Sequence, residues 1–290
     1  MSVSTTSLKI PGQEAVQKKG WLHAHKWLLL RRFSQILILF VFLLGPIFGI
    51  WIVKGNMSSS LTLNVLSLTD PFVFLQSVLS GHVVETTAVV GALIVFAFYA
   101  IVGGRVYCSW VCPINIVTDV ADWFYRKFNI KSPVHFSKNN RYALLAAILL
   151  VTLVSGIMVW ELLNPVTMLQ RELVFTMGFS WAVVLSIFIV DAFISRRAWC
   201  GRFCPMGAFY SLFGKFSLIR VNALNRDACN DCMDCYVVCP EPQVIKPVLK
   251  KAGDSNPVIL AGNCTNCGRC IDVCSEDVFS LGIRSEKFIV

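Results

Sequence analysis

Eight cysteines crowd into the last quarter of the chain in two runs of one spacing: Cys229, Cys232, Cys235 and Cys239, then Cys264, Cys267, Cys270 and Cys274. Each run reads C-x2-C-x2-C-x3-C. The first three thiolates wrap a tight loop around one face of an iron–sulfur cubane, and the x3 step carries the fourth, through a short helix, to a neighbouring cluster. The spacing therefore assigns Cys229, Cys232, Cys235 and Cys274 to one [4Fe–4S] centre and Cys264, Cys267, Cys270 and Cys239 to a second. A disulfide framework and paired zinc sites are the competing readings. Zinc favours separated C-x2-C pairs, and neither reading accounts for two identical four-cysteine runs. Pro240 follows the first run and Ser275 the second. That position shapes the turn and is not a ligand, so the difference bears on polarity rather than ligation.

The other four cysteines form a repeat. Gly104-Arg105-Val106-Tyr107-Cys108-Ser109-Trp110-Val111-Cys112-Pro113 returns 92 residues later as Arg197-Ala198-Trp199-Cys200-Gly201-Arg202-Phe203-Cys204-Pro205. On helical backbone a C-x3-C step puts both sulfurs on one face, one turn apart. Two such pairs brought together by pseudo-symmetry offer four thiolates to a third iron–sulfur cluster. A thiol or docking motif and plain structural cysteines stay open, because spacing alone sets no distance between the pairs. A disulfide facing the cytoplasm is disfavoured.

The elements that must position these cysteines are apolar. Of 290 residues, 56% are hydrophobic and 15% charged, against about a quarter charged in a soluble domain. Uncharged runs at 33–53, 86–104 and 142–160, and a fourth at 173–195 carrying Asp191, are each long enough at 1.5 Å per residue to cross about 30 Å of hydrocarbon. Pro46 is expected to kink the first. Lys and Arg number six before residue 33, one in 54–85, six in 105–141, one in 161–172 and twelve from 196 onward. The positive-inside rule then puts both termini in the cytoplasm. Trp51, Trp110, Trp123, Trp160 and Trp199 fall at or near span ends, where aromatic belts lie. The fold expected is a membrane α-helical domain, four transmembrane helices in two C-x3-C-P repeats over 33–205, after a cytoplasmic segment 1–32. A cytoplasmic α+β ferredoxin-type domain holding two [4Fe–4S] clusters follows over 206–290.

Net charge is +9, but the basic residues flank apolar spans, so nucleic acid is not indicated. No C-x-x-C-H occurs, and none of His23, His25, His82 and His135 lies in a span. Haem is excluded by ligand supply. No G-x-G-x-x-G follows a strand, so no nucleotide fold is indicated. Electrons that leave the membrane here must travel by iron–sulfur centres and quinone. Oxidising a quinol also needs a base at the membrane edge. Among the outward groups Asp70, His82, Glu85, Glu161, Arg171 and Glu172, the favoured proton acceptor is Glu161, with His82 second. The bland reading makes them solvated loop charges and Asp70-Pro71 a turn. Asp191, an intramembrane acid, is a functional candidate or a partner of Arg196 or Arg197.

With these residues assembled, the chain resembles the NapH family of membrane quinol dehydrogenase subunits. The resemblance covers nearly the whole chain. It rests on the four spans, both C-x3-C-P motifs, the eight-cysteine module, Lys18-Lys19-Gly20-Trp21, residues 55–61, Leu68-Thr69-Asp70-Pro71 and Cys274-Ser275-Glu276-Asp277-Val278-Phe279. It implies a component of the bacterial inner membrane that oxidises quinol. Electrons would pass through an exported iron–sulfur partner subunit and c-type cytochromes to periplasmic nitrate reductase. The alternative is an iron–sulfur scaffold for maturation or docking of a partner redox enzyme. Relatives of that kind carry an extra domain, for which a chain ending 16 residues past Cys274 is expected to leave no room.

Overall fold

The computed structural model describes residues 10–130, 134, 136–175, 178–249 and 256–284; His135 lies outside them. Four apolar helices carry the first part: Lys26–Phe48, Thr86–Val102, Asn140–Ser155 and Ser180–Ile189, the last continued by a widened turn to Ile194. The first starts ahead of the uncharged run and takes in Arg31 and Arg32. It runs through Pro46 and stops at Gly49, whose φ of 73° ends the helix. The third stops at Gly156, φ 67°, so Trp160 falls in a separate short helix, Val159–Leu163. In place of one helix over 173–195 there are two, Pro165–Phe175 and Ser180–Ile189. Among the described residues one helix, Lys26–Phe48, is long and apolar enough to cross a membrane by length and composition.

These helices show much of their apolar surface to the outside and bury several polar side chains. Phe33, Phe40, Leu93, Phe98, Leu150, Leu153 and Trp181 point outward and exposed, while Arg31, Gln35, Arg141 and Thr152 are buried between elements. The connection after the first helix forms a three-stranded antiparallel sheet, Val53–Gly55, Ser59–Thr62 and Leu66–Thr69. Gly91 lets the second apolar helix lie against it, since a Cβ there would stand 2.6 Å from Ser67 O.

The C-terminal part is α+β. Strand Ile219–Asn222 pairs antiparallel with Ser280–Ile283, and two five-residue helices, Asp234–Val238 and Arg269–Val273, follow the cysteine loops. Val221, Val244, Ile245, Ile259, Val278 and Phe279 form the core beneath them. This unit is docked directly on the helical part. Ser109 Oγ donates to Thr265 O at 2.8 Å, Trp110 Nε1 to Asn266 O at 3.1 Å, and Asn266 Nδ2 to Val102 O at 3.1 Å. The N-terminal segment closes over it, with Gly12 N donating to Asp234 Oδ2 at 2.8 Å and Lys18 paired with Glu276.

Candidate metal centres

The two four-cysteine loops repeat with an offset of 35 residues in backbone as well as sequence. Asp231 and Met233 in the first, Asn266 and Gly268 in the second, all take positive φ, at 57°, 65°, 46° and 71°. These left-handed residues wind the chain into a tight loop and then release it into the short helix. After each helix the fourth cysteine sits on extended backbone and leaves its own loop. One cavity is lined by Cys229, Cys232, Cys235 and Cys274, and a second by Cys264, Cys267, Cys270 and Cys239, each with about 370 Å³ of empty space. The exchange of fourth cysteines is the one the spacing implies.

The two C-x3-C pairs meet. Cys108, Cys112, Cys200 and Cys204 line one further cavity of about 410 Å³, walled by Tyr107, Ile114, Trp160, Val166, Trp199 and Met206. Each pair rides on a π-helical turn rather than the α-helical one expected. Cys112 N donates to Tyr107 O at 3.0 Å and Cys204 N to Trp199 O at 2.9 Å, five residues back in both cases. Such widened turns are rare and concentrate at functional sites. Asp191 holds the second turn in place: it is fully buried, and its Oδ1 accepts from Trp199 N at 2.9 Å. Arg196 and Arg197 pair with Asp122 instead.

The donor set fits iron–sulfur clusters better than its competitors. All twelve cysteines are described and none is in a disulfide. Among the described residues no three His, Cys, Asp or Glu side chains converge on a single-ion site. Four thiolates on one zinc must all approach to about 2.3 Å, whereas a cubane holds its thiolates apart. Charge agrees as well. The four largest fully buried side chains are Arg31, Arg105, Arg141 and Arg220. Nε of Arg31, Arg105 and Arg141 finds no hydrogen-bond partner among the described residues. Buried cations with orphaned donors call for an anion close by, and a cluster held by four thiolates is anionic.

Glu241, two residues after Cys239, is the carboxylate that ties this layer together. It is 1% exposed, and its Oε1 accepts from Arg105 Nη1 at 2.7 Å and from Arg141 Nη1 at 2.6 Å. Burial pushes its carboxyl up, but Arg105 and Arg141 override this and hold it down to about 2. The same two arginines donate to Cys200 O and Gly201 O, at 3.1 and 3.3 Å. The ferredoxin part, the first repeat and the second repeat thus share one ionic knot, which no local signal in the sequence announces.

Of the expected proton acceptors, Glu161 is next in the chain to Trp160, a wall of the third cavity, and neither it nor His82 lines that cavity. Glu161 Oε2 accepts from Ser58 Oγ at 2.9 Å, Arg171 stands 3.5 Å away, and burial raises its carboxyl. His82 is exposed, with Nδ1 2.7 Å from Ser80 Oγ. Asp70 proves to be more than a turn residue. Its Oδ1 accepts from Phe72 N and Val73 N at the start of helix Pro71–Leu79, and its Oδ2 accepts from Tyr210 OH at 2.6 Å. Burial raises it to about 6. The Tyr210 ring stacks on Tyr107, centroids 5.5 Å apart, and Tyr107 walls the third cavity.

Comparison with known proteins agrees with this layout. A family described as "4Fe-4S binding domain" matches twice, over residues 84–131 and 177–223, so that each match contains one C-x3-C-P repeat. A "4Fe-4S dicluster domain" matches residues 228–278. The methylamine utilization ferredoxin-type protein MauN of Paracoccus denitrificans is 51% identical over 93% of this chain and 95% of its own length. The ferredoxin-type protein NapH of Escherichia coli is 45% identical over 94% and 95%, and that of Haemophilus influenzae 45% over 95% and 96%. No solved structure matches.

Proposed function

This chain belongs to the ferredoxin-type family that includes NapH and MauN, and from that premise we propose that it is an iron–sulfur membrane component that oxidises quinol. The observation that carries the proposal is the set of three cavities of nearly equal size, each lined by four cysteines. We read Cys229, Cys232, Cys235 and Cys274, Cys264, Cys267, Cys270 and Cys239, and Cys108, Cys112, Cys200 and Cys204 as the ligands of three clusters. We read the domains as the segment 1–32, a helical membrane domain 33–205 and a ferredoxin-type domain 206–290, with helix Pro205–Phe213 packed into the core of the helical part. The outward-facing apolar side chains and the lysine and arginine count support four membrane helices with both termini cytoplasmic.

An iron–sulfur cluster, when bound, accepts and releases one electron at a time. The chain supplies the rest. Glu161, raised by burial, is the first acceptor for protons from a quinol at the outward membrane edge, with His82 as an exposed second; Asp70, also raised by burial, lies deeper, on Tyr210. Tyr210 and Tyr107 join Asp70 to the third cavity through a hydrogen bond and a ring stack. Arg105, Arg141 and Glu241 fix the third cavity against the ferredoxin part. The acceptor implied by the NapH resemblance is periplasmic nitrate reductase, through an exported iron–sulfur subunit and c-type cytochromes. The MauN relatives carry a second reading, a place in methylamine utilization.

The test is an iron and acid-labile sulfide count on the anaerobically purified protein, with EPR spectra after adding reduced quinol. Three cubanes give about twelve irons, and Cys108→Ser or Cys200→Ser should lower the count to about eight. A quinol-induced signal is expected. Eight irons in the unaltered chain, with no signal from quinol, would replace this reading with the maturation or docking scaffold.

A further inference from the structure

Beside the second ferredoxin cavity lies an open cleft of about 1530 Å³, counted to its mouth, that none of the cysteines lines. It sits between the N-terminal segment, the inward end of helix Lys26–Phe48 and the amphipathic helix Ile114–Lys127. Its charges do not balance. Asp119 serves Arg269 at 2.7 Å, Arg197 at 3.6 Å, Arg31 at 3.7 Å and Arg32. Asp122 serves Arg197 at 2.9 Å, Arg126 at 3.3 Å and, outside the cleft, Arg196. Six guanidiniums therefore share two carboxylates.

The other titratable groups facing the cleft do not make up the difference. Asp272, which accepts from Trp27 N and Leu28 N at 3.1 and 2.9 Å, is a third carboxylate, so the five arginines that line the cleft still outnumber its carboxylates, and His25 adds no negative charge. Arg31, 1% exposed, leaves Nε and Nη1 without hydrogen-bond partners, and Arg269 leaves Nη1. A loaded cluster on the neighbouring cysteines offsets part of the surplus through Arg31 and Arg269. Of the arginines that line the cleft, Arg32 and Arg126 stay partly open, at 21% and 30%.

The rim is apolar. Val120 and Trp123 on the amphipathic helix line it and are 49% and 51% exposed. A small hydrophilic anion has no use for that rim, and a neutral quinone has no use for surplus guanidiniums. An amphiphile with an anionic head uses both, and this end of the helix is the one the lysine and arginine count puts inward, where basic pockets between helices meet anionic headgroups. We propose that this cleft binds an anionic phospholipid, its phosphate among the arginines and an acyl chain along Val120 and Trp123.

The proposal rests on the reading that Lys26–Phe48 is a membrane helix, and the experiment separates the two. The full-length protein, purified with its iron in detergent and stripped of lipid, is titrated with short-chain phosphatidylglycerol, short-chain phosphatidylcholine, inorganic phosphate and a soluble quinone, with tryptophan fluorescence and native mass spectrometry as readouts. Phosphatidylglycerol should bind at least tenfold tighter than phosphatidylcholine or phosphate. Arg126→Gln should weaken it about tenfold, with iron content unchanged, and Arg126→Lys should retain it. Equal binding of the two lipids, equally tight phosphate, or displacement of phosphatidylglycerol by quinone would each overturn the assignment. If Arg126→Gln loses iron, the ligand series on the unaltered chain still decides. Carbonate extraction of membranes is run alongside: a protein that resists extraction but does not select the anionic lipid loses only this site, and one that washes off loses the membrane reading.

Discussion

Glu241→Gln isolates what the buried ionic knot contributes. The substitution keeps the side chain's size and removes one negative charge shared by Arg105 and Arg141, at 2.7 and 2.6 Å. Both arginines are fully buried. Breaking a buried pair by taking one partner costs about 3–5 kcal/mol, because the remaining charge is left uncompensated. The titration agrees: a carboxyl held at about 2 in place of 4.5 reflects about 3 kcal/mol of favourable charge interaction. Against a total stability of about 5–15 kcal/mol, the melting temperature should fall by roughly 6–20 °C. Because the same arginines hold Cys200 O and Gly201 O, iron should be lost from the third cavity first. The assay is thermal unfolding of the anaerobic protein in parallel with iron counts, on Glu241→Gln, Arg105→Gln and the double variant. The double should cost clearly less than the two singles summed, since the uncompensated charge is then reduced. A shift under 1 °C in the single variant, or strict additivity, would show that the knot carries no coupling and that the reasoning is wrong.

Two more outcomes follow from the geometry. Asp70 has its carboxyl raised from 3.8 to about 6 by burial, so the folded state keeps a proton that the unfolded state gives up. Asp70's own contribution to stability is then greatest below pH 4, falls by about 3 kcal/mol as pH rises towards 6, and levels off above. Asp70→Asn should flatten that slope in melts taken from pH 4 to 7, and an unchanged slope counts against the assignment. Gly104→Ala would set a Cβ 2.0 Å from Tyr210 O and 2.8 Å from Gly214 N, backbone atoms that cannot swing aside. It should lower both yield and iron content, whereas Gly201→Ala, with nothing within 4 Å of its Cβ, should retain both; equal behaviour of the two would contradict the packing described.

The sequence by itself determined which ferredoxin-type cysteines group together, because that grouping is written in short spacings. The two C-x2-C-x2-C-x3-C runs set the loop windings at Asp231, Met233, Asn266 and Gly268, and the exchange of Cys239 and Cys274. Apolar runs marked the four helices, and the 92-residue repeat marked the paired C-x3-C motifs. Helix ends were less legible. Gly156 stops the third helix where the apolar run continues, and Arg31 lies inside the first although its charge suggests a flank. Only the tertiary structure decided what depends on distant partners. It brought Cys108 and Cys112 to Cys200 and Cys204, joined Glu241 to Arg105 and Arg141, and set Tyr210, 140 residues away, on Asp70. Each of these is a long-range meeting of groups whose local surroundings look ordinary. A buried charge is recognisable only when its counter-charge is in view, and that view exists only once the helices have packed.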